Sequence, residues 1–211
     1  MQKFLKVIKT IGYWLVSCTW GIIMTLIGLL VSLGMLISGH KPHKFGYGFY
    51  FEFGKGWGGL ELGPVFIVSK DAAEATKQHE AGHGYQNLWF GPFMPLLISI
   101  PSAIRYWHRR SFKTQTKKYR FVERVCYPII FIGASLIALD YFLTLRFLVY
   151  IGIGLFVYGS ALWIWLNEIE LPRYVNESPE YDAIWFEKNA SYIGKKFIPS
   201  TTKLIEEIQE N

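Results

Sequence analysis

The chain has 211 residues, 51% of them hydrophobic and 18% aromatic, enough for one compact unit and too few for several ordinary domains. Its net charge of +6 comes with a run of Arg and Lys beside long apolar stretches, where positive-inside bias and anionic head groups account for it, so no nucleic-acid partner is expected. Cys18 and Cys126 both fall in apolar stretches, which argues against a disulfide framework or a thiolate metal site.

In chain order, Thr10–Gly39 carries no Asp, Glu, Lys or Arg and is long enough to cross a bilayer, which takes about 20 apolar helical residues. Its apolar run exceeds the 7 to 15 residues of a signal-peptide core, so a retained anchor is expected. Phe45–Phe53 (FGYGFYFEF) is aromatic and Gly-punctuated, Gly54–Gly59 (GKGWGG) reads as a turn, and Leu60–Val68 (LELGPVFIV) is β-branched and apolar. This pattern predicts a β-hairpin with a wide turn, Pro64 marking its second strand as an edge. Asp71 with Glu74 three residues on has capping-box spacing, and the alanines that follow favour a helix through Gln86.

Gly84–Ile104 is uncharged but holds Pro92, Pro95 and Pro101. Its strongly apolar part, about 14 residues, suits a re-entrant or interfacial segment better than a crossing. Arg105, Arg109, Arg110, Lys113, Lys117, Lys118, Arg120 and Arg124 then form a basic loop. Val125–Leu145 and Phe147–Leu166 read as two further crossings. The tail from Asn167 is polar, with a helix expected over about Pro179–Ile193 and a short amphipathic one over Ile198–Ile208. The segments are thus an anchor (1–39), hairpin and motif helix (40–90), re-entrant segment and basic loop (91–124), a two-span hairpin (125–166) and the tail (167–211).

His79-Glu80-Ala81-Gly82-His83 carries the chemistry. Two imidazoles four residues apart share one helical face and can reach a single ion. Zinc suits two neutral histidines and a carboxylate, with one position left for water. The ion acidifies that water, and Glu80, next to the first ligand, is placed to take its proton as catalytic base. His40 and His43, flanking the end of the first span, are explained as interfacial residues without a second metal.

HEAGHGYQ, followed by Gly91-Pro92, Ile100-Pro101-Ser102 and later Trp185-Phe186-Glu187-Lys188, resembles small bacterial membrane proteins of the gluzincin type. More distantly it is similar to the membrane-bound prenyl-protein endopeptidases and HtpX-like peptidases. The likeness covers about Leu60–Ser102 and Tyr181–Gly194. It implies a third ligand, a glutamate from a later helix, with an acidic residue four positions on that orients a ligand histidine. Glu187 matches the glutamate, with Ala190 also in place, while Ser191 stands where the acidic residue is usual. That departure weakens the hydrogen bond expected behind the ligand. Glu168, Glu170, Glu177 and Asp182 are rivals for the third position, and Tyr174 or Tyr181 are candidate transition-state donors.

The expectation is a mainly α membrane protein with about three transmembrane helices, a re-entrant segment and a small β-hairpin beside the motif helix. Its expected activity is zinc-dependent hydrolysis of peptide bonds in membrane-associated or membrane-proximal substrates. The lipid bilayer and a peptide or membrane-protein substrate are the expected partners. The basic run places the site on the cytoplasmic face of a bacterial inner membrane, although Lys3, Lys6 and Lys9 argue for the other side. The competing reading is an inactive, partner-binding membrane scaffold that retains a metal site. Metal transport would call for ionisable residues in several spans, where Asp140 stands alone.

Overall fold

The computed structural model describes residues 2–113, 118–177 and 180–198. They divide into two compact units, Met1–Ile100 with Tyr181–Asn211, and Pro101–Glu180.

In the first unit the expected single anchor is broken. Helix α1 (Gln2–Thr19) and helix α2 (Ile22–Ile37) meet at 100°. The break falls where Asn87 donates to the Gly21 carbonyl at 3.3 Å and Trp20 reaches the carbonyl of Trp89. Breaking a helix releases backbone carbonyls that need new donors. The Thr25 hydroxyl supplies one, bonding Ser17 O across the break at 2.7 Å.

The sheet also departs from the expected hairpin. Strands β1 (His43–Phe45), β2 (Gly48–Glu52), β3 (Gly59–Leu62) and β4 (Val65–Val68) form one sheet in the order β1-β2-β4-β3. The aromatic strand β2 and the apolar strand β4 are neighbours, as the sequence suggests, but they run parallel. The antiparallel pairs are β1 with β2 and β3 with β4. Each closes through two residues, Gly46-Tyr47 and Gly63-Pro64, with the glycine at φ +58° and +75°. A first turn residue with positive φ matches the twist of a tight hairpin, so these glycines outcompete the longer Gly-rich loop as turn sites. Pro64 therefore sits in a turn, where no ladder donor is missed, and β4 is internal, all four of its residues buried.

Helix α3 (Glu74–Phe90) carries the motif. Asp71 does not cap it: Ala73 occupies the N-cap without a side-chain bond, and the Asp71 carboxylate accepts the Gly56 N–H instead. The Ser69 hydroxyl and that N–H hold the Asp71 carboxyl below its ordinary range. Beyond α3 the proposed re-entrant stretch is helical but broken, with a 3-10 turn at Gly91–Phe93 and a π-helical turn at Pro95–Ser99. Prolines at the start of each turn explain the loss of regular α geometry.

In the second unit, α4 (Ile100–Lys113), α5 (Lys118–Leu143), α6 (Phe147–Ile164) and α7 (Leu171–Glu177) follow, with a π-helical stretch at Trp165–Glu170. The basic stretch is thus largely helical, not a loop. Arg105 and Arg109 turn inward, each donating its Nε–H to Glu170 Oε1, at 2.6 and 3.0 Å. Burial of a carboxylate requires such partners, so these two arginines serve Glu170 and not head groups. Helices α5 and α6 pack through small residues: a Cβ on Gly133 would meet Gly152 O at 2.7 Å, and one on Gly152 would meet Gly133 O at the same distance.

Two helices, Arg124–Leu143 and Phe147–Tyr174, are long and apolar enough to cross a membrane. The number rises to four if α1 with α2, and α3 with the helix after Met94, each count as one bent span. The tail helix α8 runs over Trp185–Phe197, later than expected, after a 3-10 turn at Tyr181–Ala183. Apart from Ile198, the last amphipathic helix expected from the sequence lies outside the described residues.

Candidate metal centre

Two features bring α8 onto α3. Gly82 and Gly194 lack side chains at the points of closest approach, where a Cβ would overlap the carbonyls of Ala190 and Gln78 respectively. Hydrogen bonds from Gln78 to Ile198 O (2.7 Å) and from Gln86 to Phe186 O (2.8 Å) flank this contact. Residues 78, 82 and 86 recur every four positions, so one stripe of α3 is devoted to α8.

The adjoining stripe holds the histidines. His79 Nε2 and His83 Nε2 are 3.2 Å apart, and Glu187 Oε2 lies 3.0 Å from the first and 3.2 Å from the second. His83 and Glu187 are buried and His79 is half-buried. Four ligands held 2.0–2.1 Å from a zinc ion in a tetrahedron are about 3.3 Å from one another. The observed triangle has the size of one face of that tetrahedron. Among the described residues this is the one gathering of three or more His, Cys, Asp or Glu side chains that could hold a metal ion. Of the rivals for the third position, Glu170 is engaged by Arg105 and Arg109, and Glu177 lies 3.3 Å from Arg173.

The protonation of His83 can be read from its neighbour. Gln86 Nε2 lies 2.8 Å from Phe186 O and 2.9 Å from Asn189 Oδ1, both acceptors, so the amide nitrogen must be on that side. Gln86 Oε1 therefore faces His83 Nδ1, at 2.7 Å, and accepts its proton. Nε2 is left with a lone pair directed at a carboxylate oxygen and a second imidazole nitrogen. A proton or a metal ion shared among these atoms relieves the clash of their lone pairs. The Nδ1 atom of His79 lies 2.8 Å from the Ser191 hydroxyl, so the serine occupies the orienting place even though it cannot bring a charge.

Glu80 is buried and close enough to His79, His83 and Glu187 to feel their charge. Its carboxyl lies against the edge strand β3, where a Cβ on Gly59 would stand 2.5 Å from Glu80 Cδ and Oε1. Glu61 is itself buried, its carboxylate accepting the Gly63 N–H, and burial pushes its pKa up to about 8. Away from this centre, His43 stacks on Tyr50 and His40 packs on Phe53. Tyr174 packs against Arg109 in the second unit.

Gln86, Gly59 and Glu61 were not singled out from the sequence. Gln86 had a signal: three residues after a ligand histidine on a helix, it shares that histidine's face.

The fold and site define a helical protein with two to four candidate membrane-crossing helices, a small sheet and a His-His-Glu group suited to a metal ion. No protein-family model, curated protein or solved structure matches the chain.

Proposed function

We propose that this chain is an integral membrane zinc-dependent endopeptidase acting on membrane-associated or membrane-proximal peptide substrates. The observation that carries the reading is the convergence of His79 Nε2, His83 Nε2 and Glu187 Oε2 at tetrahedral spacing, with Glu80 alongside. Two imidazoles and one carboxylate are the donor set of hydrolytic zinc sites, which keep a fourth position open. Zinc bound there would acidify water and polarise a carbonyl. Glu80 takes the proton of the attacking water and delivers it to the leaving amine. Gln86 and Ser191, at the Nδ1 atoms of His83 and His79, would hold the two imidazoles with their Nε2 atoms toward such an ion.

A membrane location is supported by the apolar, outward-facing side chains of α2, α5 and α6, among them Leu30, Ile37, Phe131, Phe142 and Val157. Exposed apolar surface on this scale is favourable in lipid and aggregates in water. A bacterial inner membrane with the site on its cytoplasmic face follows from the resemblance and the basic stretch. Arg105 and Arg109 no longer count toward that stretch. Strand β3 is a sheet edge beside Glu80, suited to aligning an extended peptide.

The test is metal analysis and hydrolysis on the same preparation. Full-length protein purified without chelators should hold about one zinc per chain and cleave members of a fluorescence-quenched peptide library in liposomes. Glu80→Gln should keep the zinc and lose roughly 10²-fold or more in turnover. Zinc without hydrolysis in wild type would favour the scaffold reading; no stoichiometric metal would end both.

A further inference from the structure

Strand β3 approaches the motif helix at one point, and the approach is closer than a side chain allows. A Cβ on Gly59 would stand 2.5 Å from both Cδ and Oε1 of Glu80, while Gly58, one residue earlier, has nothing within 4 Å. The backbone of Gly59 is not in the left-handed region, so the absence of a side chain there answers to space and not to conformation. In an antiparallel pair alternate residues turn their N–H and C=O away from the partner strand. Ser69 N–H bonds Gly58 O, which makes Gly58 an inward member of the β3–β4 pair and leaves Gly59 and Glu61 as outward ones. The edge of β3 thus offers Glu80 a bare backbone to lie against at Gly59.

The turn that ends β3 is fixed from both sides. The Glu61 carboxylate takes the Gly63 N–H, and Gly63 packs on Met24 and Thr25 of α2 on one side and toward Gly84 of α3 on the other. The edge of β3 is therefore held against the same helix that carries Glu80. A glutamate acting as a base has three single-bond torsions, and restricting them before substrate arrives is worth more than any one contact.

We infer that β3 positions the catalytic base: Gly59 clears the space in which the Glu80 carboxylate rests. Gly59 is a positioning residue acting through Glu80. The inference rests on the hydrolase reading for its effect on turnover, but the placing of the carboxyl can be tested apart from it.

Full-length wild type, Gly59→Ala, Gly58→Ala, Glu80→Gln and the Gly59→Ala/Glu80→Gln pair would be compared for zinc content, for cleavage of a peptide that wild type cuts, and for the carbon-13 resonance of the Glu80 carboxyl, assigned by its loss in Glu80→Gln. Gly59→Ala should keep about one zinc, lose roughly 10²-fold in kcat with KM within about twofold, and shift the acidic limb of the pH–rate profile. It should add less than about twofold to the loss already caused by Glu80→Gln. Gly58→Ala should match wild type. The Glu80 carboxyl resonance should move in Gly59→Ala and stay in place in Gly58→Ala. A wild-type kcat in Gly59→Ala, a loss that adds in full to that of Glu80→Gln, or loss of zinc would each overturn the inference. If wild type cleaves no peptide, the hydrolase reading fails while the Glu80 carboxyl resonance still decides the positioning: an unmoved resonance in Gly59→Ala overturns it.

Discussion

Gly82 of α3 faces Ala190 of α8 so closely that a methyl group cannot be added at Gly82 without separating the helices. The same holds for Gly194 against the Gln78 carbonyl. Metal binding is thereby tied to helix packing, because Glu187 reaches the histidines only while α8 stays seated. Gly82→Ala and Gly194→Ala should each destabilise the protein by roughly 1–3 kcal/mol, the range for overpacking a close contact, and weaken zinc binding together with stability. Gly34→Ala, at a helical position with nothing within 4 Å, should leave zinc binding unchanged. Thermal unfolding in detergent and zinc titration on the same samples would check all three. Normal zinc affinity in Gly82→Ala would separate the helix contact from the site.

Glu187 is the residue through which the tail completes the cluster. Glu187→Ala should lower zinc affinity by about 10²-fold or more, since it removes a ligand and not merely a supporting group. Glu187→Asp, one methylene shorter, should bind metal with altered geometry and much lower turnover. Alanine at Glu170 should leave metal affinity within about threefold, because that carboxylate answers to Arg105 and Arg109. Competition against a zinc chelator of known affinity gives the comparison, and a stronger effect at Glu170 than at Glu187 would reassign the third ligand.

Gln86 and Ser191 support the two histidines with uncharged groups. Gln86→Leu should cost roughly 10–100-fold in zinc affinity, the usual range for removing a group that orients a ligand histidine. Ser191→Asp should hold zinc at least as tightly as wild type, since a carboxylate at 2.8 Å from His79 Nδ1 would raise the basicity of Nε2. Weaker binding in Ser191→Asp would show that the site cannot take a further negative charge next to Glu187 and Glu80.

The pH dependence of folding has a contribution of known sign from Glu61. Its carboxyl is raised to about 8 in the folded chain, so between the ordinary carboxylate range and pH 8 the folded form holds a proton that the unfolded form has lost. Stability from this group is full at pH 4 and falls as pH rises to about 8. Glu61→Gln, which still accepts the Gly63 N–H and cannot ionise, should remove that decline. At roughly 1.4 kcal/mol per pKa unit, the metal-free variant should be more stable than metal-free wild type by up to a few kcal/mol at pH 8 and similar to it at pH 4. Unfolding midpoints at the two pH values measure this, and parallel curves for the two proteins would place the Glu61 carboxyl in its ordinary range.

The His-Glu-x-x-His spacing by itself determined that two imidazoles and a carboxylate share one turn of helix, because 3.6 residues per turn is a local property of the chain. The long uncharged runs likewise set where apolar helices form. Strand identity was legible for the same reason, and so was the neighbourhood of Phe49 and Val65, but their direction was not. Parallel pairing of β2 with β4 depends on which turn closes first, and two-residue turns at Gly46-Tyr47 and Gly63-Pro64 took precedence over the longer glycine loop. The capping-box spacing at Asp71 was present and unused, since the Gly56 N–H claimed its carboxylate from a distance of 15 residues. The bend at Gly21 and the inward turn of Arg105 were set by Asn87 and Glu170, groups 66 and 65 residues away. Whether Glu187, 104 residues beyond His83, would meet it was decided by Gly82 and Gly194 letting two helices touch. A periodicity records what one helix presents. Only packing, through the absence of a side chain at two or three points, records what that face is pressed against.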